Sequence, residues 1–143
     1  SGSPANFSAT LDRYPIDHVV LMGSLCNPLN RASTRILCER GDFDLLFFND
    51  YSALWSRVQH TRAMPPFHLL IPPLIDEKWF RRCVQAKNLP LFMEEVKRLH
   101  AYVPDSLYAR ILINALTRSP DVPDHVKKEI GALLIPSRQG CNR

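Results

Sequence analysis

The residues that most often do chemistry in proteins show no catalytic or metal-binding spacing in this sequence. No two histidines have the H-x-x-x-H or H-E-x-x-H spacing that directs two imidazoles at one metal ion. The sequence also lacks a G-x-S-x-G nucleophile turn and a Gly-rich phosphate loop. We therefore expect no enzymatic activity, no metal and no cofactor. The five histidines are His18, His60, His68, His100 and His125.

Two carboxylate pairs, Asp76-Glu77 and Glu94-Glu95, have the composition of an acid–base pair. Both fall where the sequence predicts the first turn of a helix. Negative charge in a first turn is stabilised by the helix dipole. We therefore interpret both pairs as structural.

The cysteines indicate a reducing compartment. They lack the close C-x-x-C spacing of zinc or redox sites, and three of them have apolar neighbours, where a free cysteine behaves as a small buried hydrophobe. Reduced structural thiols predict an intracellular protein, in cytoplasm or nucleus. No apolar run approaches the ~18 residues of a membrane span, so no membrane partner is expected. The four cysteines are Cys26, Cys38, Cys83 and Cys141.

The elements that would position a surface site are predicted to be helices. Only 5 glycines accompany 12 prolines, so few residues suit the positive φ of tight hairpins. The sequence predicts an all-α fold, a short right-handed α-solenoid of about three helix hairpins over 31–59, 74–103 and 105–134. Residues 16–25 favour a helix, with a strand as the alternative. A long helix is predicted over 42–59, because apolar residues recur every three or four positions at Phe43, Phe47, Tyr51, Leu54 and Val58.

The chain is predicted to hold one domain between two polar ends. Residues 1–13 read as a tag scar and a frayed N-terminus, 14–135 as a single helical-repeat domain, and 136–143 as a polar tail. The first residue is not Met, and the last residues are polar. Both features predict a piece cut from a longer chain.

Three turns in the sequence resemble one another. In each, a helix is followed by a short polar segment, then by Asn or Asp, an apolar residue and a residue that opens the next helix. Asn88 and Asp121 occupy equivalent places at an interval of about 33 residues, which is typical of helical-hairpin repeats.

Over residues 74–135 the chain resembles a pentatricopeptide repeat, with the tetratricopeptide-like class close to it. The residues that carry the resemblance are Pro104-Asp105-Ser106-Leu107 and Leu112-Ile113-Asn114-Ala115-Leu116. The resemblance implies helical hairpins and, in that family, recognition of single-stranded RNA by small polar residues on first helices. Arg110 and Glu77 stand where those small residues would lie, so the resemblance supports the fold more than RNA recognition.

Aligning the three turns predicts a partner-binding surface. Residues four apart on each first helix would share one face and form a mildly basic groove; the alternative is ordinary solvated side chains. The Pro-rich stretch Met64–Ile75 is either a partner-binding ridge or a packed irregular connection. The candidate partner-binding residues are Arg31, Arg35, Lys78, Arg81, Arg110, Pro66 and Phe67.

Charge and composition leave two functional hypotheses. The net charge is +4 and the pI is near 9.0, which suits an acidic partner or RNA. The first hypothesis is a non-enzymatic helical protein–protein interaction domain, a scaffold, adaptor or dimerisation module that binds another protein or a second copy of itself. The alternative is an RNA-binding pentatricopeptide-like solenoid. No small-molecule substrate is indicated.

Overall fold

A computed structural model describes residues 4–24, 27–58, 64–72 and 76–135. The chain divides into two compact units, residues 1–79 and residues 80–143. Each unit has its own apolar core, one built on a sheet and the other on helices. Each unit is described by itself.

The first unit is mixed α/β. Its three strands form one antiparallel sheet in the order β1-β3-β2. β1 and β2 therefore run parallel to each other on either side of β3, and α2 is the crossover between them. In chain order the elements are α1 (Pro4–Arg13), β1 (His18–Met22), α2 (Pro28–Arg40), β2 (Phe43–Phe48) and β3 (Ser52–Arg57), and α3 (Glu77–Cys83) spans the division between the units.

Residues at both ends of helix α2 determine where the helix begins and ends. The Asn27 side chain accepts a hydrogen bond of 2.8 Å from the Leu29 N–H and caps the first turn. Gly41 ends the helix with a φ of 76°, a left-handed conformation that glycine adopts without strain. The side chain of Asn30 donates 2.9 Å hydrogen bonds to the carbonyls of Met22 and Ser24. These bonds fix the start of α2 against the end of β1.

Helices and sheet share the core of the first unit. The strand register puts Leu45 of β2 opposite Trp55 of β3, and both side chains are buried. Phe48 of β2, Leu11 of α1 and Leu37 of α2 are buried as well. Burial of aliphatic and aromatic side chains on this scale is the main stabilising contribution to such a unit.

The predicted all-α solenoid is wrong, because residues 42–59 contain a β-hairpin instead of one long helix. A β-bulge between Leu45 and Phe47 interrupts the alternation of β2. As a result Leu46 is buried along with Leu45, and the buried residues of β2 no longer recur at every second position. An interrupted alternation of this kind resembles a helical stripe in the sequence.

Asn49 makes the turn between β2 and β3 without glycine. Its Oδ1 accepts hydrogen bonds from the Tyr51 N–H at 2.9 Å and from the Ser52 hydroxyl at 3.0 Å. Its own N–H donates to the Ser52 carbonyl at 2.9 Å. An Asn side chain bonded to the backbone two residues on substitutes for part of a turn. The scarcity of glycine therefore did not exclude a hairpin.

The N-terminal part of the first unit also differs from prediction. The segment 16–25, read as a helix with a strand as the alternative, contains strand β1, and β1 pairs with β3 along its whole length. Residues 4–13 form helix α1 where a frayed terminus was expected. The buried side chain of Leu11 holds α1 against the core.

In the second unit the described residues form helices, close to where the sequence predicts them. Pro90 lies in the first turn of α4, and the Ser106 hydroxyl caps α5 by accepting a 3.1 Å hydrogen bond from the Ala109 N–H. The elements are α4 (Leu89–Tyr102), α5 (Leu107–Arg118), α6 (Asp124–Gly131) and a 3₁₀ turn (Ala132–Leu134). Its core contains Cys83, Phe92, Val96, Leu99, Ile113, Leu116 and Ile130.

Candidate partner-binding surface

The candidate cations from the sequence are divided between the two units. Arg31 and Arg35 are exposed on α2, and Lys78 is exposed on α3, all in the first unit. Arg81 and Arg110 are exposed in the second unit. Neither unit therefore contains the whole of the predicted basic groove.

The Pro-rich segment is packed into the first unit over its described residues, 64–72. Phe67 is only 2% exposed. Its N–H donates a 2.7 Å hydrogen bond to the Leu45 carbonyl, and its ring packs in a T-shaped arrangement with that of Phe48, with the ring centroids 5.1 Å apart. Pro66 is half-buried. Phe67 is thus a core residue, and its side chain is not displayed to a partner.

Arg110 lies on the outer face of α5 together with four other exposed residues. Successive members are three, one, three and four positions apart, so they form a line about 100° wide along the helix. We name this line the α5 outer stripe: Leu107, Arg110, Ile111, Asn114 and Arg118.

Two aliphatic residues of the α5 outer stripe are more than half exposed. Leu107 is 60% exposed and Ile111 is 56% exposed, one turn apart. On the opposite face of the same helix, Ala109, Ile113 and Leu116 are fully buried in the unit's core. Helix α5 therefore carries apolar residues on two faces, whereas an ordinary surface helix has one.

The α5 outer stripe is positively charged. Helix α5 contains two arginines and no Asp or Glu. Within the described parts of the chain, Arg110 and Arg118 form no ion pair. Arg118 lies in the last turn, where its charge is favourable to the helix dipole. Arg110 is the fourth residue of α5, close to the positive end of the helix dipole, where the dipole does not favour a cation.

A groove lies between α4 and α6 in this unit. It has a volume of about 450 Å³. Lys97 and Glu129 form an ion pair across it, and the hydrogen bond from Lys97 is the main reason that the pKa of Glu129 is lowered. Because these two charges neutralise each other, the groove offers less charge to a ligand than the α5 outer stripe. Its other lining residues include Leu89, Pro90, Met93, Pro123 and Val126.

The thiols of the described residues are not set up as nucleophiles. The pKa of Cys83 is raised to about 12, mainly by burial and to a smaller extent by the charge of the nearby Glu95. Burial likewise raises the pKa of Cys38 to about 11, with a smaller contribution from Glu39. A reactive cysteine needs both a lowered pKa and access to solvent. Neither Cys38 nor Cys83 combines the two, because both have a raised pKa. Among the described residues there is also no group of three or more His, Cys, Asp or Glu placed to hold a metal ion.

The alignment of the three turns predicted Arg110 as a partner-binding residue but did not predict Leu107 or Ile111. It also passed over Arg118. The width of the apolar pattern could have predicted the exposure of Leu107 and Ile111, because the apolar residues of α5 cover more of the helix surface than one packed face needs. These residues include Leu107, Tyr108, Ile111, Leu112 and Ile113.

In comparisons with known proteins, the chain matches no family model, no curated protein and no solved structure. The resemblance of residues 74–135 to pentatricopeptide repeats therefore stays a prediction. Within the described ranges, no helix has the length and apolar character needed to cross a membrane.

Proposed function

We propose that this protein is a non-enzymatic protein-interaction domain that binds its partner through the α5 outer stripe. The observation that carries the proposal is the exposure of Leu107 and Ile111 on the same helix face as Arg110. Single exposed aliphatic residues are common on protein surfaces. Two of them one turn apart, with an arginine between, have the apolar-plus-Arg composition that is enriched at interfaces.

Covering Leu107 and Ile111 with a partner would stabilise a complex. Full burial of a Leu or Ile side chain stabilises by roughly 1.5–3 kcal/mol. Because Leu107 and Ile111 are each a little more than half exposed, covering both would contribute on the order of 3 kcal/mol. A single hot-spot residue contributes about 2 kcal/mol or more, so the two side chains together would contribute about as much as one hot spot. The folded unit gains none of this by itself, since its core uses the other face of α5.

A different protein is favoured over a second copy of this chain. If two α5 outer stripes met face to face, the cations Arg110 and Arg118 would approach each other with no carboxylate on either helix. Like charges brought together at an interface are costly. A partner with complementary charge avoids that cost.

RNA binding is the rival use of the same surface, since two arginines on one face also suit phosphates. Single-stranded RNA, however, is held largely by stacking of bases on aromatic side chains. The α5 outer stripe contains aliphatic side chains and no aromatic one. Titration with single-stranded RNA over a range of salt separates the two functions. A tight, strongly salt-dependent complex that Arg110→Glu abolishes would favour the rival.

The proposal is tested by affinity capture from a cell extract with three baits. They are the 143-residue chain, the Leu107→Ser/Ile111→Ser variant, and a control that removes similarly exposed aliphatic residues elsewhere. Leu29→Ser/Val58→Ser is that control, because Leu29 is 52% exposed and Val58 is 47% exposed in the first unit. We expect at least one protein retained by the wild type and the control and lost from the stripe variant. Capture that all three baits share equally would contradict the proposal.

A further inference from the structure

The α5 outer stripe also defines the chemistry of its partner, and this inference rests on the proposed function. Leu107 and Ile111 occupy the N-terminal half of the stripe, and Arg110 lies between them on the same face. A partner that covers the two aliphatic side chains must also cover the guanidinium group of Arg110. A charge removed from water is costly unless an opposite charge or hydrogen-bond acceptor meets it.

The chain itself does not supply that acceptor. Helix α5 has no acidic residue, and among the described residues Arg110 forms no ion pair. The acceptor must therefore come from the partner, and a carboxylate is the strongest acceptor for a guanidinium group. Arg118, two turns further along the same face and also without an ion pair in the described chain, requires a second one.

The spacing of these residues limits the shape of the partner. At 1.5 Å per residue, Leu107 and Ile111 lie about 6 Å apart along the helix axis, and Arg110 and Arg118 about 12 Å apart. A helix laid along α5 presents residues three or four apart at about the same interval. An extended strand would present same-side residues about 7 Å apart but would leave its backbone groups without partners on a helix surface.

We infer that the α5 outer stripe binds an acidic amphipathic helix. Apolar residues of the partner, one turn apart, cover Leu107 and Ile111. Glu or Asp residues of the partner, two turns apart, pair with Arg110 and Arg118. Asn114, between the two arginines and exposed, offers both a donor and an acceptor to a polar side chain of the same helix.

The test uses a displayed library of peptides about four helical turns long. Apolar residues are fixed at helical spacing, and the remaining positions are randomised among Glu, Lys, Gln and Ala. The library is selected on four forms of the full chain: wild type, Arg110→Glu/Arg118→Glu, Leu107→Ser/Ile111→Ser, and Lys127→Glu/Lys128→Glu. The last form is a matched charge reversal on α6.

We expect acidic peptides from the wild type and from the Lys127/Lys128 variant, and basic peptides from the Arg110/Arg118 variant. The best acidic peptide should bind the Arg110/Arg118 variant at least about tenfold more weakly than the wild type, and its association should slow as salt rises.

Two other results are informative. If the peptides selected on the wild type depend on the α5 outer stripe but are neutral or basic, the inference of an acidic partner is wrong and the proposed function still stands. If the same peptides are enriched on the wild type and on the Leu107→Ser/Ile111→Ser variant, the proposed function itself is contradicted.

Discussion

Arg57 donates a 2.8 Å hydrogen bond from Nη1 to Oδ2 of Asp42, joining the end of β3 to the residue before β2. The same carboxylate accepts two bonds from Arg40, at 3.0 and 2.8 Å. Arg57 also donates to the backbone carbonyls of Ile16 and Leu11. This partly buried cluster of hydrogen bonds connects α1, α2 and the β-hairpin, and the carboxylate of Asp42 lies at its centre.

Replacing Asp42 by Asn should destabilise the first unit by about 2 kcal/mol, since hydrogen bonds to charged groups contribute roughly that much. The hydrogen bond from Arg40 is the main reason that the pKa of Asp42 lies below its usual range. A carboxyl group whose pKa is lower in the folded state contributes stability above its unfolded pKa of about 4, and that stability is lost as the pH falls through the folded value. The stability of the wild type should therefore fall below about pH 4 more steeply than that of the Asn variant.

The measurement is urea unfolding at neutral and acidic pH, and Asp12→Asn is the control. Asp12 also pairs with Arg40, at 2.8 Å, but its side chain is well exposed. Exposed ion pairs contribute about 0–1 kcal/mol. Equal losses for Asp42→Asn and Asp12→Asn would contradict the central role of Asp42.

The turn at Asn49 gives a second prediction. Asn49→Ala removes the acceptor for the Tyr51 N–H and the Ser52 hydroxyl, and should destabilise the first unit by about 1 kcal/mol. Asn49→Asp keeps an oxygen in the same place and should cost less. Both are measured by chemical unfolding of the full chain. An Asp variant as unstable as the Ala variant would show that the side-chain acceptor does not hold the turn.

The core of the second unit gives a third prediction. Ile130 is fully buried on α6, whereas Val126, one turn earlier, is half-exposed beside the α4/α6 groove. Ile130→Asp buries an unpaired charge and should cost more than about 3 kcal/mol, enough to unfold the unit. Val126→Asp should cost markedly less because water reaches that position. Thermal melting followed by far-UV circular dichroism measures both, and equal effects would place Val126 in the core as well.

Cys38 and Cys83 give a fourth prediction, about reactivity. With pKa values of about 11 and about 12, both stay protonated at neutral pH, and the thiolate is the form that reacts. Alkylation by iodoacetamide should be at least about 100-fold slower in the folded protein than in urea. Peptide-level mass spectrometry gives the rate at each site. Folded-state labelling of Cys83 at the rate of the unfolded chain would refute its burial. Cys26 and Cys141 lie outside the described residues.

The helices of the second unit could be predicted because their signals are local. Ser106 caps α5 and Pro90 opens α4, and each acts on the backbone within a few residues of itself. The sheet could not be predicted in the same way. The pairing of β1 with β3 joins residues far apart in the chain, and the bulge in β2 removed the alternation that would have marked a strand.

The candidate surface could be predicted in part for a similar reason. Arg110 was predicted from the alignment of the three turns, which uses only the sequence. The exposure of Leu107 and Ile111 depends on which face of α5 meets the core, and both faces carry apolar residues. Only the packing of Ala109, Ile113 and Leu116 decides which face is outside.

The most direct test of the central claim is hydroxyl-radical footprinting of the full chain, free and bound to a captured partner. The method reports solvent access of individual side chains, so it observes the α5 outer stripe without a substitution. We predict that oxidation of Leu107 and Ile111 falls several-fold on binding, while Leu29 and Val58, exposed to a similar degree, are oxidised as before. Unchanged oxidation of Leu107 and Ile111 in the complex, with protection elsewhere, would contradict the claim that this stripe is the partner-binding face.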